Sequence, residues 1–540
     1  MKRSFSLMAV AAATVAVLSA EACDAQTPVP VPVPGAAPGA TPGATPGATP
    51  MAAPVPGTPA ALVQMTQSFT ASGDAAFDAW RVSFAQRAVA AGRSPAVVQQ
   101  MLGSLRPDPS IVNQDQNQAE FVRPVWDYIN RAVTPSKITE GVARRQANAQ
   151  LFTDIERRFG VDADIIAGIW AVETNFGTFP LPYDAPQALA TLAADGRRRS
   201  QFEGYILALM EMVEKGYAGP TEMKSSWAGA LGQPQFMPDI YLTTAVDWDG
   251  DGKRDIWTNT GDTLASIANY LAARGWRRNE PVYDEVYLPQ EFDYALADGT
   301  ARPIAQWMSL GARSTSGFAY TPQVLANSAT LFLPAGAKGP ALLLFPNFSV
   351  IRTYNPSDRY ALIVSLLARG FEGGNGLVKP WPVEIGSLSR EQLLDLQAGL
   401  NKLGFNAGTP DGMFGTSTRR AVRQYQQSVN LPADGYPTPA LLDRIKGRTT
   451  GIDRAATQQA SPSLRSEAGI RSLQQQLIRI GKLRDRADGE VGPATRRAIE
   501  AFERTLNLEP TGRATQFILD EARKVASSAP AHRKARRRRR

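Results

Sequence analysis

In the C-terminal part of the chain, Leu396-Gln397, Leu400, Gly404, Asp411-Gly412, Gly415, Thr418-Arg-Arg-Ala421, Leu431 and Gly435 recur as Leu473-Gln474, Leu477, Gly481, Asp488-Gly489, Gly492, Thr495-Arg-Arg-Ala498, Leu508 and Gly512. Every pair is separated by 77 residues, with no gap. Chance does not hold such a register, so this region folds as two copies of one small helical module, 388–446 and 466–525, joined by a polar linker at 447–465. The second copy is degenerate, with Glu490 for Met413 and Val491 for Phe414. Paired modules suit avidity for a repetitive ligand; a merely structural duplication is the alternative.

The opposite end is organised differently. Met1-Lys-Arg, an apolar run from Leu7 to Leu18 and Ala20-Glu-Ala-Cys have the form of a secretory leader, residues 1–22. Cleavage after Ala22 would leave Cys23 first, an arrangement open to lipidation and membrane attachment. Residues 23–68 are rich in Pro, Ala and Gly, with reiterated Gly-Ala-Thr-Pro units, and are expected to form an extended tether. The expected location is therefore outside the cytoplasm, in the periplasm or cell envelope. With a single Cys the chain has no internal disulfide, so its core must hold without one.

Between these ends, 69–376 reads as one large, mostly helical unit. Phe77, Trp80 and Phe84 mark the face of a first helix, and amphipathic stretches follow at 95–105, 119–132 and 137–159. Asp162 suits an N-cap for a helix over 162–175 that Gly177 can stop. Further helices are predicted at 198–214, 262–274 and 357–369. Short strand-like runs, Ala341–Phe345 and Phe348–Arg352 among them, mark a small β-containing insertion between 282 and 353. Gly370–Gly376 with Pro380 and Pro382 form a linker.

Composition narrows the chemistry. The one His, His532, lies in the basic tail at 526–540, and the one Cys near the N-terminus. Nucleophilic systems built on His, and zinc sites built on His or Cys, are excluded. The net charge of +8 does not describe a nucleic-acid-binding surface, because seven of those charges come from Arg533, Lys534 and Arg536–Arg540. One carboxyl stands out instead. Glu173 is the ionisable residue in the apolar run Ile165–Gly177, and helical spacing sets Ile169, Trp170 and Phe176 around it. Such walls disfavour the charged form and raise the pKa, which suits an acid that breaks a glycosidic bond. The alternative is a Glu on the solvent edge of a core helix.

Ala171-Val-Glu-Thr-Asn-Phe-Gly177 followed by Gly229-Ala-Leu-Gly-Gln-Pro-Gln-Phe-Met-Pro238 resembles the membrane-bound lytic murein transglycosylase B family. Ala245–Gly252, Asp255-Ile-Trp257, Ser266–Leu271, Gly275-Trp276, Pro346-Asn-Phe348 and Tyr354-Asn355 extend the resemblance over roughly 70–370. The repeats resemble peptidoglycan-binding modules of bacterial wall hydrolases. The implied fold is mainly α (α+β): a lysozyme-like helical catalytic domain with a small β insertion, plus two three-helix modules.

The resemblance implies cleavage of the MurNAc–GlcNAc β-1,4 bond with Glu173 as sole acid/base, leaving 1,6-anhydromuramoyl ends. It implies substrate contacts from Ser226, close to the catalytic carboxyl, and from Gln235, Tyr270, Asn347 and Tyr354. Packing or turn formation is the alternative for each. Asp247, Asp249 and Asp251, with Gly252 and Asp255, look like half an EF-hand loop suited to structural calcium. Thr258 stands where the bidentate Glu belongs, and a self-capped Asp/Gly turn is the alternative. No cofactor is required for the implied reaction. The expected partners are peptidoglycan glycan strands, not nucleic acid, and the expected state is a monomer. A hydrolytic muramidase and a non-catalytic wall-binding scaffold are the rival functions.

Overall fold

The computed structural model describes residues 65–116, 124–317 and 320–528. The expected leader, Cys23, almost all of the tether and the Arg run lie outside the described residues. Two compact units emerge: residues up to Phe292 with Leu296–Pro382, and Asp293–Ala295 with Val383 onward.

At the centre of the first unit is the helix Ala163–Thr174, whose residues are buried on nearly every side. A helix apolar all round has no solvent face to offer, so it becomes the core around which others assemble. Asp358–Phe371, Pro135–Ala147, Thr260–Ala273 and Ala149–Phe159 pack against it. Gly168 sets its closest approach: a Cβ there would stand 2.9 Å from the Val364 carbonyl oxygen. The first helix, Ala75–Ala90, buries Phe77, Trp80 and Phe84 as its spacing predicts, and Asp74 caps it through the Phe77 amide.

Two expectations differ from the structure. The stretch 137–159 is two helices, Pro135–Ala147 and Ala149–Phe159, broken at Asn148, whose side-chain amide donates to the Arg144 carbonyl. Phe348–Arg352 is not a strand. It lies in the helix Pro346–Tyr354, because Pro346 at the first turn pre-sets φ, while Asn347, Phe348, Val350 and Ile351 turn inward. The β insertion itself is a five-stranded antiparallel sheet in the order Ala301–Pro303, Ser328–Phe332, Leu342–Leu344, Tyr283–Tyr287, Arg313–Ser314. Leu343 pairs with Asp284 on one side and Leu331 on the other.

The second unit holds both repeats. Arg390–Lys402, Thr416–Ser428 and Pro439–Ala460 form the first; Glu467–Arg479, Pro493–Thr505 and Gln516–Ser528 form the second. The repeated Gln does the same work in each copy. Gln397 donates to the Asp411 carboxylate, the Met413 carbonyl and the Thr418 hydroxyl, and accepts the Gly412 amide. Gln474 donates to Asp488, the Glu490 carbonyl and Thr495, and accepts the Gly489 amide. A buried side chain with all its polar atoms paired fixes the loop to the helix pair, which explains why Gln, Asp-Gly and Thr recur together.

The polar linker expected at 447–465 is narrower. Pro439–Ala460 runs as one helix through most of it, capped by Thr438 and started by Pro439. Gln458, near its end, donates to the Glu503 carboxylate at 2.6 Å inside the second copy. Leu464 then donates its amide to Ala514, so the second module begins before residue 466.

Candidate active site

Glu173 occupies the last full turn of the central helix and is 2% exposed. Its surroundings are those the spacing predicts: Ile169, Trp170 and Phe176 are all buried, the last two in edge contact at 5.5 Å. Burial pushes the carboxyl up to about 8, opposed by a hydrogen bond from Tyr360. The Tyr360 hydroxyl donates to Oε1 of Glu173 at 2.6 Å. Among the described residues, the titratable groups that bear on Glu173 are the phenols of Tyr360 and Tyr354, not a second carboxylate.

The helix ends abruptly beyond the acid. Asn175, Phe176 and Gly177 all take positive φ, 50°, 60° and 75°. For Phe176 this conformation costs about 1–3 kcal/mol and persists because the ring is locked into the core. Gly177 is required at its position: a Cβ would stand 2.4 Å from the Gln233 Oε1. Gln233 is the clasp of this region. Its Oε1 accepts the Trp170 indole N–H at 2.7 Å, its Nε2 donates to the Trp257 carbonyl, and its own carbonyl accepts the Thr174 hydroxyl. The loop Gly229–Met237 is thereby bolted to the helix that carries Glu173.

Of the residues predicted to bind substrate, Gln235 is partly exposed at the strained turn of this loop, with φ 54°. Its amide N–H groups donate to the Ala230 and Gly232 carbonyls, which leaves Oε1 as its acceptor. Ser226 is also partly exposed, but its hydroxyl accepts the Ala230 amide at 3.2 Å, and the hydrogen-bond partner of Glu173 is Tyr360, not Ser226. Tyr354 lies at the site with its ring parallel to that of Tyr360, 6.3 Å between centroids. Its hydroxyl donates to the Pro234 carbonyl, so it builds the wall behind the loop instead of offering that donor to a sugar.

Two of the predicted contacts have their polar groups committed inside the protein. Tyr270 is 6% exposed, its hydroxyl donates to the Thr353 carbonyl, and its ring packs against Phe236, Tyr354 and the Arg274 guanidinium. In this position it supports the wall, with its hydroxyl committed to the protein's own backbone. Asn347 is fully buried; its amide donates to the Arg277 and Glu280 carbonyls and its oxygen accepts the Arg277 amide. Its polar atoms all serve the 277–280 loop, and none remains for substrate.

Tyr360 was missed at the sequence level. The available signal was a phenol on the buried face of the helix with Ile363, Val364 and Leu367, where a hydroxyl needs a polar partner. Lys137 was missed too; its ammonium donates to the Ala171 carbonyl near the end of the central helix, and burial lowers its pKa.

The aspartates of the EF-hand-like loop do converge. Asp247, Asp249 and Asp251 each bring a carboxylate oxygen within 4.8 Å of the others. Asp247 accepts the Gly250 and Gly252 amides, which curls the loop around this cluster. Asp262, sixteenth in the loop, is fully buried and accepts the Trp248 and Asp255 amides. Burial raises it to about 6, and the charges of Asp249 and Asp247 add to the rise. The donor set, three converging hard carboxylate oxygens, fits a hard divalent cation.

A cavity of about 550 Å³ opens beside the site. Thr174 and Gln233 line it, but Glu173 does not.

A family model described as the transglycosylase SLT domain matches residues 76–369, more than half of the chain. The chain belongs to this family. A second model, the putative peptidoglycan binding domain, matches 389–445 and 466–520, the two repeats. Membrane-bound lytic murein transglycosylase B of Escherichia coli (strain K12) is 30% identical over 285 residues, 49% of this chain and 75% of that protein. SltB3 from Pseudomonas aeruginosa, solved with NAG-anhNAM-pentapeptide, is 42% identical, with a TM-score of 0.67 over 69% of this chain and all of that one. The same protein solved with NAG-NAM-pentapeptide gives a TM-score of 0.66 at 42% identity. Membership of the family fits the lysozyme-like helical core and the modules described above.

Proposed function

We propose that this protein is a peptidoglycan lytic transglycosylase that cleaves the MurNAc–GlcNAc β-1,4 bond. The observation that carries this reading is the isolated, buried carboxyl of Glu173, held neutral to about pH 8 by its surroundings. In the first step Glu173 gives its proton to the glycosidic oxygen as the bond to MurNAc C1 breaks. The carboxylate left behind takes the proton from the MurNAc C6 hydroxyl as that oxygen bonds to C1. The proton returns to the enzyme, the 1,6-anhydro ring closes, and no water is consumed. Two-carboxylate schemes need a second acid about 5–9 Å away to act as nucleophile or to activate water, and phenols face Glu173 instead. Tyr360 fixes Oε1, leaving the other oxygen to carry the proton, and steadies the transient carboxylate. Gln235 Oε1, left free of its own amide's hydrogen bonds, would accept from a sugar hydroxyl or acetamido N–H.

The test is mass spectrometry of products from purified wall. The expected ends are anhydromuramoyl. Reducing ends, heavier by one water, identify a hydrolytic muramidase; no product identifies a binding scaffold.

The two modules would hold the enzyme on the wall. Relatives act on peptidoglycan, a component of the cell envelope, and among the described residues no helix is long and apolar enough to cross a membrane. Export to the periplasm through residues 1–22, attachment through Cys23 and a monomeric state complete the proposal. Asp247, Asp249 and Asp251 would hold calcium, which would stiffen the loop after which Lys253, Asp255, Trp257 and Thr258 line the cavity. The ion would take no part in bond cleavage.

A further inference from the structure

Two compartments of opposite character meet at Gln233. One is the apolar pocket around Glu173, walled by the buried side chains of Ile169, Trp170 and Phe176. The other is the cavity of about 550 Å³, whose lining includes Glu222, Lys224, Lys253 and Asp255 but not Glu173. A space of that size among charged groups holds water. An acid that keeps its proton near neutrality cannot share that water, because hydration favours the charged form. Thr174 and Gly177, on either side of the turn that follows Glu173, line the cavity together with Gln233.

The Gln233 side chain spans this partition. On the buried side its Oε1 accepts the Trp170 indole N–H at 2.7 Å; on the cavity side its Nε2 donates to the Trp257 carbonyl at 2.8 Å. These partners fix the amide's orientation, since only its oxygen accepts and only its nitrogen donates. Its backbone amide donates to the Ile256 carbonyl at 2.8 Å, and its backbone carbonyl accepts the Thr174 hydroxyl at 2.9 Å. Gly177 leaves no gap beside it, because a Cβ there would stand 2.4 Å from Gln233 Oε1. The position makes two demands, to fill the space and to pair a polar group at each end. Ala meets neither, and Met meets only the first.

The other titratable groups lie off this boundary. Tyr360 and Tyr354 bear on Glu173, and Lys137 reaches the Ala171 carbonyl, but none of the three lines the cavity.

Resting on the reading of Glu173 as the acid of a transglycosylase, we infer that Gln233 is a positioning residue that seals the catalytic carboxyl from the water of the cavity. Its action runs through Trp170, which it holds against the acid, and through the space that it fills.

The test follows the Glu173 proton directly, by NMR of the full-length chain carrying carboxyl-labelled glutamate, with the resonance identified by its loss in Glu173→Gln. No turnover is needed. Wild type should titrate at about 8. Gln233→Ala should bring the midpoint down by about one pH unit or more as water reaches the carboxyl. Gln233→Asn, shorter by one methylene, should move it in the same direction and carries the comparison if Gln233→Ala does not fold. Gln233→Met should restore the midpoint while unfolding at a lower urea concentration than wild type, because two polar groups lose their partners. In turnover of soluble wall fragments, kcat/KM at pH 8, taken relative to each variant's own value at pH 6, should fall about fivefold in Gln233→Ala. An unchanged midpoint in the shortened variants overturns the inference, as does an equal fall in Gln233→Met, which would assign the effect to lost hydrogen bonds alone. The transglycosylase reading fails separately, on the chemistry of the product ends.

Discussion

Replacing Glu173 by Gln should abolish turnover and at the same time stabilise the fold, by an amount that grows with pH. The unfolded chain ionises this carboxyl near its ordinary value of 4.5, whereas the folded protein holds it neutral to about 8. Between those values the unfolded state has released a proton that the folded state keeps, so stability falls as pH rises, by about 1.4 kcal/mol per unit. The loss begins near pH 4.5 and is complete above about 8. From pH 5 to pH 7 the wild type therefore gives up about 2.5 kcal/mol at this site, while the amide, which does not titrate, gives up nothing. Tyr360 can still donate to the amide oxygen, so the variant should match wild type near pH 5. Differential scanning calorimetry at both pH values measures the difference. The gap in Tm between variant and wild type should widen by roughly 5 °C from pH 5 to pH 7. A gap that stays constant would mean that Glu173 is ionised at neutrality, and the acid step assigned to it would be refuted.

Tyr360→Phe removes the hydrogen bond that favours the carboxylate, so the alkaline limb of the kcat profile should move upward by about one to two pH units, since such bonds contribute about 1.5–3 kcal/mol. Asn347→Ala strips three partners from the 277–280 loop and should cost about 2–4 kcal/mol in urea unfolding, leaving KM unchanged. Tyr425→Phe should raise the stability of the first module by about 1 kcal/mol, because the Tyr425 hydroxyl is buried with no hydrogen-bond partner among the described residues and the second copy already has Phe502 there. Calcium should raise the Tm of the wild-type chain and leave Asp249→Ala unmoved, the shift growing with the logarithm of its concentration.

The sequence was most informative where one interaction demands one residue type. The apolar run around Glu173 sets the character of its helix, and the 77-residue register marks the modules. It was least informative where the same residue serves two purposes. Asn347 and Tyr270 occur in motifs that accompany the catalytic segment, yet their polar atoms are consumed by the 277–280 loop and the Thr353 carbonyl. A motif shows that a residue matters without showing whether it faces inward. Tyr360 had the reverse problem: its hydroxyl meets Glu173 across 187 residues of chain, a proximity that no local pattern encodes. Phe348–Arg352 has strand-like composition, and only Pro346 and inward packing decide for a helix.

The unbroken helix between the repeats changes what two copies can do. A slack cord would let each domain search independently, adding its grip wherever a site came within reach. A stiff helix that continues over 447–460 beyond the first module, roughly 21 Å, and is pinned at its far end by Gln458 on Glu503, behaves as a caliper. Such a device responds to the interval between attachment points, and it holds fast only where the mesh repeats at the distance its own jaws are set to.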